Sequence, residues 1–203
     1  MLNYLFQPVK YIADQLPLAS FCEYDKRSLD GVEYIVVHQT DDLCEENTPQ
    51  DIAEHHITGR GFCGIGYHYY IDDKGKVSQV NDLETWSFHA SYYNENGVGV
   101  VICGEHRLDE CVEGNAKMVG KRQYNALIGT ILKMQRKLPK GKEIAVIGHT
   151  ETEGTDKSCP NLDMDELRAD VEKARNNRIA TLGVVSLAFL VLVIGLIFKV
   201  VKR

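Results

Sequence analysis

The chain has 203 residues, 44% hydrophobic and 26% charged, a balance that excludes a disordered or collagen-like polymer. Its 23 Lys and Arg stand against 29 Asp and Glu, a formal net charge of −6, which excludes the clustered cations of a broad nucleic-acid footprint. Residues 179–203 hold three of the bases and no acid, so residues 1–178 carry 20 bases against 29 acids, a net of −9.

Residues 1–29 read as an N-terminal arm. Met1 to Ser20 has neither the basic start nor the sustained apolar run of a secretory signal. The chain is therefore expected to be made in the cytosol, with most of its six cysteines (22, 44, 63, 103, 111 and 159) reduced. Glu33 to His38 (EYIVVH) is a β-branched run that predicts a buried strand. Thr48 followed by Pro49 marks a helix start, Thr48 as N-cap and proline at the first position, with the pattern continuing through Glu54–Ile57. Gly59, Gly61, Gly64 and Gly66 punctuate a loop. Tyr67 to Asp72 and Val77 to Val80 predict a hairpin turning at Asp73-Lys74-Gly75-Lys76.

Val98 to Cys103 is a further strand. Arg122 to Leu138 sets Leu127, Ile128, Ile131, Leu132 and Leu138 at amphipathic-helix spacing, and Pro139 and Gly141 stop it. Glu143 to Gly148 is a strand ending at His149, and Asp163 caps a helix running to Arg178. Strands interleaved with helices predict an α/β fold, a mixed central β-sheet flanked by helices. Ile179 to Phe198 contains no charged residue, and twenty helical residues span about 30 Å, the thickness of a hydrocarbon core. Arg175 and Arg178 precede it and Lys199, Lys202 and Arg203 follow. The expectation is a C-terminal transmembrane helix over 179–198, reached through a juxtamembrane extension at 171–178, with a basic tail at 199–203 and the lipid membrane as a partner.

His38, His149 and Cys159 are candidate metal ligands. Imidazole and thiolate both suit zinc, and a catalytic zinc keeps three protein ligands and an open position. By spacing alone the same residues read more often as hydrogen-bonded strand-end histidines and a plain buried thiol.

Five pieces in order resemble one family: IVVHQT at 35–40, GIGYHYYIDDKGKV at 64–77, SFHAS at 87–91, GVGVVICGE at 97–105 and IGHTETEGTDKSCP at 147–160. Together they resemble the zinc-dependent N-acetylmuramoyl-L-alanine amidases (amidase type 2), whose fold is shared by peptidoglycan recognition proteins and phage amidase lysozymes. The resemblance covers roughly residues 30–170 and implies a monomeric amidase domain there. It implies zinc held by His38, His149 and Cys159, and Tyr67 and Lys157 as catalytic residues beside the metal. It implies peptidoglycan as substrate, cut between N-acetylmuramic acid and L-alanine, as by a phage-type endolysin; with the expected C-terminal anchor, the expected location is the host inner membrane or the virion membrane. His89, Trp86 and Thr40 are candidate substrate-groove residues, with Thr40 also able to orient His38. Trp86 alternatively packs beneath the site, and His89 alternatively serves the structure; His68 alternates with Tyr67, is expected on the other side of the strand, and reads as structural. His55, His56 and His106 read as surface or helix residues. Val101 stands where some members carry a general-base Glu, which places the chain nearer the phage and animal types. Two further roles fit the resemblance: a non-catalytic peptidoglycan receptor, and a regulator of a cytosolic partner such as a phage RNA polymerase.

Overall fold

The computed structural model describes residues 8–41, 44, 47–105, 119–139, 144–153 and 159–180. Among these residues six strands form one sheet: β1 (Val9–Tyr11), β2 (Tyr34–Gln39), β3 (Tyr69–Ile71), β4 (Val77–Gln79), β5 (Gly97–Ile102) and β6 (Ala145–Gly148). The spatial order is β1-β4-β3-β5-β2-β6. Only the β3–β4 hairpin is antiparallel; the other pairings are parallel. β2 and β5 are central, and both read as near-continuous apolar runs because both of their faces are covered.

Three helices supply that cover: α1 (Pro49–Arg60), α2 (Lys121–Lys137) and α3 (residues 164–180). α1 starts where Thr48 and Asp51 form a reciprocal capping box, and ends at Gly61 in the left-handed region, φ 69°. α2 and α3 lie on one face, where Leu127, Ile131 and Leu167, all without solvent exposure, pack on Ile35, Val37, Val100 and Ile102. Each such side chain contributes about 2 kcal/mol of burial. On the other face α1 sets Ile52 and Ala53 against Tyr70, Val101 and Cys103. The mixed α/β expectation holds, with element ends shifted by a few residues.

The expected membrane anchor is corrected. No helix among the described residues is long and apolar enough to cross a membrane. α3 is amphipathic: Met164, Leu167 and Val171 enter the core, while Asp165, Glu172 and Arg175 face outward. The described part of this helix runs to Ala180, and the rest of the predicted span lies outside the described residues, as does the basic tail. The expectation of reduced cysteines is corrected as well. Cys22 bonds Cys63 and Cys44 bonds Cys103, with Cα atoms 5.4 and 5.2 Å apart. Main-chain pairing brings both sets together: Ala19 N–H donates to Cys63 O at 2.8 Å, and Asp41 N–H to Gly104 O at 3.2 Å. Cys159 stands outside both bridges.

Candidate metal centre

β2, β5 and β6 run parallel, so their carboxyl ends open on one edge of the sheet, where side chains project from a rigid scaffold into loops. His38 is the penultimate residue of β2 and is 1% exposed. β6 pairs with β2 so that Gly148 sits opposite Val37, and the next residue, His149, is delivered beside His38. The two rings lie 4.6 Å apart between centroids. Cys159 comes in from the segment after β6. Its carbonyl accepts from Thr150 N–H at 2.7 Å, and its Sγ accepts from Gln39 N–H at 3.2 Å. Sγ is 4.0 Å from His38 Nδ1. One nitrogen from each histidine and the sulfur all lie within 4.8 Å of one another. That donor set, two imidazoles and a thiol at a strand-end edge, suits a borderline-soft divalent ion such as zinc.

Gly148 permits this convergence. A Cβ there would lie 2.9 Å from Pro160 Cδ and 3.1 Å from Met164 Cγ, so any side chain would push the segment carrying Cys159 off β6. The turn carrying His149 is braced from α3. Glu151 Oε2 accepts from Gly148 N–H at 2.7 Å, and Arg168 Nη1 donates to both Glu151 oxygens, at 3.1 and 3.0 Å, and to Val146 O at 3.1 Å. Both side chains are about a third exposed, so solvent screens the pair. Arg168→Ala is expected to cost about 1 kcal/mol in urea unfolding, mainly through the lost carbonyl and carboxylate bonds. An unchanged midpoint would contradict this brace.

Tyr67 is half-buried, and its ring centroid is 5.1 Å from that of His38. Burial, with Cys159 nearby, raises the phenol above its ordinary range, so it is a neutral hydroxyl at neutral pH. Its other neighbour is His56, at 5.6 Å. His56, by sequence a surface or helix residue, is on helix α1 and half-buried. It lies one turn after Ile52 on the inward face of α1, and that i, i+4 relation was the available signal. Its Nδ1 accepts from Gly66 N–H at 3.0 Å, and burial lowers its pKa to about 4, with further lowering by His55 and Arg60.

From His56 an aromatic wall continues through Phe62, stacked on Phe88 at 5.0 Å, to Trp86, edge-on to Phe88 at 4.8 Å. All three side chains are half-buried. Trp86 thus belongs to a wall leading away from Tyr67. Thr40 Oγ1 accepts from Gly104 N–H at 2.9 Å, which ties the end of β2 to the end of β5. His89 is 8% exposed, with Nδ1 3.2 Å from His38 Nε2. Burial holds its pKa down at about 3, despite the Gly97 carbonyl, which raises it.

His68 is fully buried and bonds main chain: its Nδ1 accepts from Gly99 N–H and its Nε2 donates to Thr85 O, both at 3.0 Å. These bonds fit a structural histidine, and its ring lies 5.8 Å from that of His89. Val101 is fully buried opposite His38 in register, with no carboxylate at that position. Lys157 lies outside the described residues.

Residues 28–162 match the family described as N-acetylmuramoyl-L-alanine amidase. The chain is 30% identical over 98 residues to a Bos indicus protein named peptidoglycan recognition protein 1, covering 44% of this chain and 50% of that one. It is 27% identical over 105 residues to an endolysin of Enterobacteria phage K11, covering 52% and 64%. The chain thus spans about half the length of the first relative and somewhat less than two thirds of the second. The fold is similar to that of the endolysin N-acetylmuramoyl-L-alanine amidase LysCS from Clostridium intestinale, with a TM-score of 0.60 and 23% identity, covering 82% of this chain and 97% of that one. With the family match extending over more than half of its length, the chain belongs to the N-acetylmuramoyl-L-alanine amidase family.

Proposed function

We propose that the chain is a zinc-dependent peptidoglycan hydrolase that cuts the amide between N-acetylmuramic acid and L-alanine. The observation that carries this reading is the meeting of His38, His149 and Cys159 within 4.8 Å, with the Tyr67 ring against His38. When bound, zinc supplies Lewis-acid chemistry, polarising an amide carbonyl and making water a competent nucleophile at neutral pH.

The chain's own residues then divide the remaining work. His38, His149 and Cys159 hold the ion. The neutral Tyr67 hydroxyl donates to the oxygen on which negative charge develops. Lys157, two residues before Cys159 in sequence, supplies a cation for the same charge. The wall of Phe62, Phe88 and Trp86 gives flat apolar surface on which the glycan or the peptide stem rests.

The test is incubation of the full chain, loaded with zinc, with purified peptidoglycan, scoring new alanine amino termini. Tyr67→Phe and Lys157→Ala are each expected to slow release by about 100-fold or more while keeping one zinc per chain, since aimed donors of this kind contribute a few kcal/mol. Loss of zinc in either variant would contradict the assigned roles. Muropeptide binding by zinc-loaded chain without release of alanine amino groups would replace hydrolysis with recognition.

A further inference from the structure

We propose that His89 is a positioning residue for His38: it fixes the tautomer in which His38 carries its proton on Nε2 and turns Nδ1 toward the metal. The proposal takes its purpose from the metal reading above, but its physical content is a property of the metal-free chain.

The hydrogen-bond order follows from a group that only accepts. Gly97 O lies 3.1 Å from His89 Nε2, so that nitrogen carries a proton and donates it. In the neutral ring His89 Nδ1 is then the acceptor. His38 Nε2 is 3.2 Å from it and must be the donor. The remaining nitrogen of His38 is Nδ1, unprotonated in the neutral ring, and it is the nitrogen 4.0 Å from Cys159 Sγ. A carbonyl on β5 thus sets a proton order that passes through two imidazoles and ends at the ligand edge. Ligating histidines ordinarily donate their second N–H to an outer acceptor that fixes the tautomer and raises ligand basicity. Here that acceptor is another histidine.

His89 is itself held in place. Asn94 Oδ1 accepts from the main-chain N–H of His89 and of Ala90, at 2.8 and 2.7 Å. β5 leaves space for the ring at Gly99, where a Cβ would lie 2.9 Å from His89 Cγ and 3.1 Å from Nδ1. An apolar side chain of equal size would fill this space but offer His38 no acceptor.

The test reads the tautomer directly. Long-range proton–nitrogen correlation spectra of histidine-labelled, zinc-free chain at pH 7.5 are expected to show His38 protonated on Nε2. His89→Leu is expected to mix the His38 tautomers and weaken zinc binding by about 10- to 100-fold in a chelator competition. His89→Asn sets an amide oxygen near the place of Nδ1 and is expected to restore most of both. Protonation of His38 on Nδ1 in the unaltered chain would overturn the proposal, and that measurement needs no variant to fold. So would folded Asn and Leu variants of equal zinc affinity. An unaltered chain that takes up no zinc would bring down the metal reading instead, while the tautomer still decides the role of His89.

Discussion

Cys159→Ser is expected to remove zinc binding and peptidoglycan hydrolysis together, while leaving the fold intact. A thiolate is a strong, soft ligand, and a serine hydroxyl remains protonated at neutral pH and replaces it poorly. The loss in zinc affinity should exceed the roughly 10- to 100-fold that removal of an outer-shell partner costs. The fold should survive because the main-chain bond from Thr150 to the Cys159 carbonyl does not involve the side chain, and the Gln39 N–H that now meets Sγ can meet Oγ. The measurement is metal content alongside alanine release, with circular dichroism as the control. A folded serine variant that keeps stoichiometric zinc and the full rate would contradict the ligand assignment.

Unfolding free energy, measured in urea with EDTA present, is expected to fall by several kcal/mol as pH drops from about 7 to about 4. Three histidines are responsible. Burial lowers His56 to about 4 and His89 to about 3, and holds His68 well below its ordinary value. A group whose folded pKa lies below its unfolded value of about 6.5 binds fewer protons when folded. Its stability contribution is therefore complete above pH 6.5 and is lost as pH falls toward the folded pKa. Each such group makes a slope of up to about 1.4 kcal/mol per pH unit in that window. His56→Asn, whose amide oxygen can accept from Gly66 N–H in place of Nδ1, should flatten part of the slope. Stability that stayed level from pH 7 to 4.5 would contradict the buried neutral state of these rings.

What the sequence disclosed was local or strongly periodic. The β-branched run of β2, the Thr48–Pro49 start of α1 and the apolar stripe of α2 depend on neighbours within a turn or two, and each appears where expected. The meeting of His38, His149 and Cys159 was legible only through ordered motifs, because strand pairing brings residue 149 beside residue 38 and a main-chain bond to Thr150 brings Cys159 in, and spacing specifies neither. β1 has three residues, too few to carry a period. The disulfides depend on where the arm and the loop after β2 lie against the sheet, which no cysteine spacing specifies. The apolar run at 179–198 suggested an anchor, yet the described helices are amphipathic or charged and none is long and apolar enough to cross a membrane.

The most direct test of the metal centre is zinc-edge X-ray absorption on the full chain carrying one equivalent of zinc. One ion per chain is expected, with a single sulfur at about 2.3 Å and nitrogen or oxygen neighbours at about 2.0 Å, and the sulfur shell is expected to vanish in Cys159→Ser. A chain that binds no stoichiometric zinc, or binds it through nitrogen and oxygen alone, would contradict this expectation.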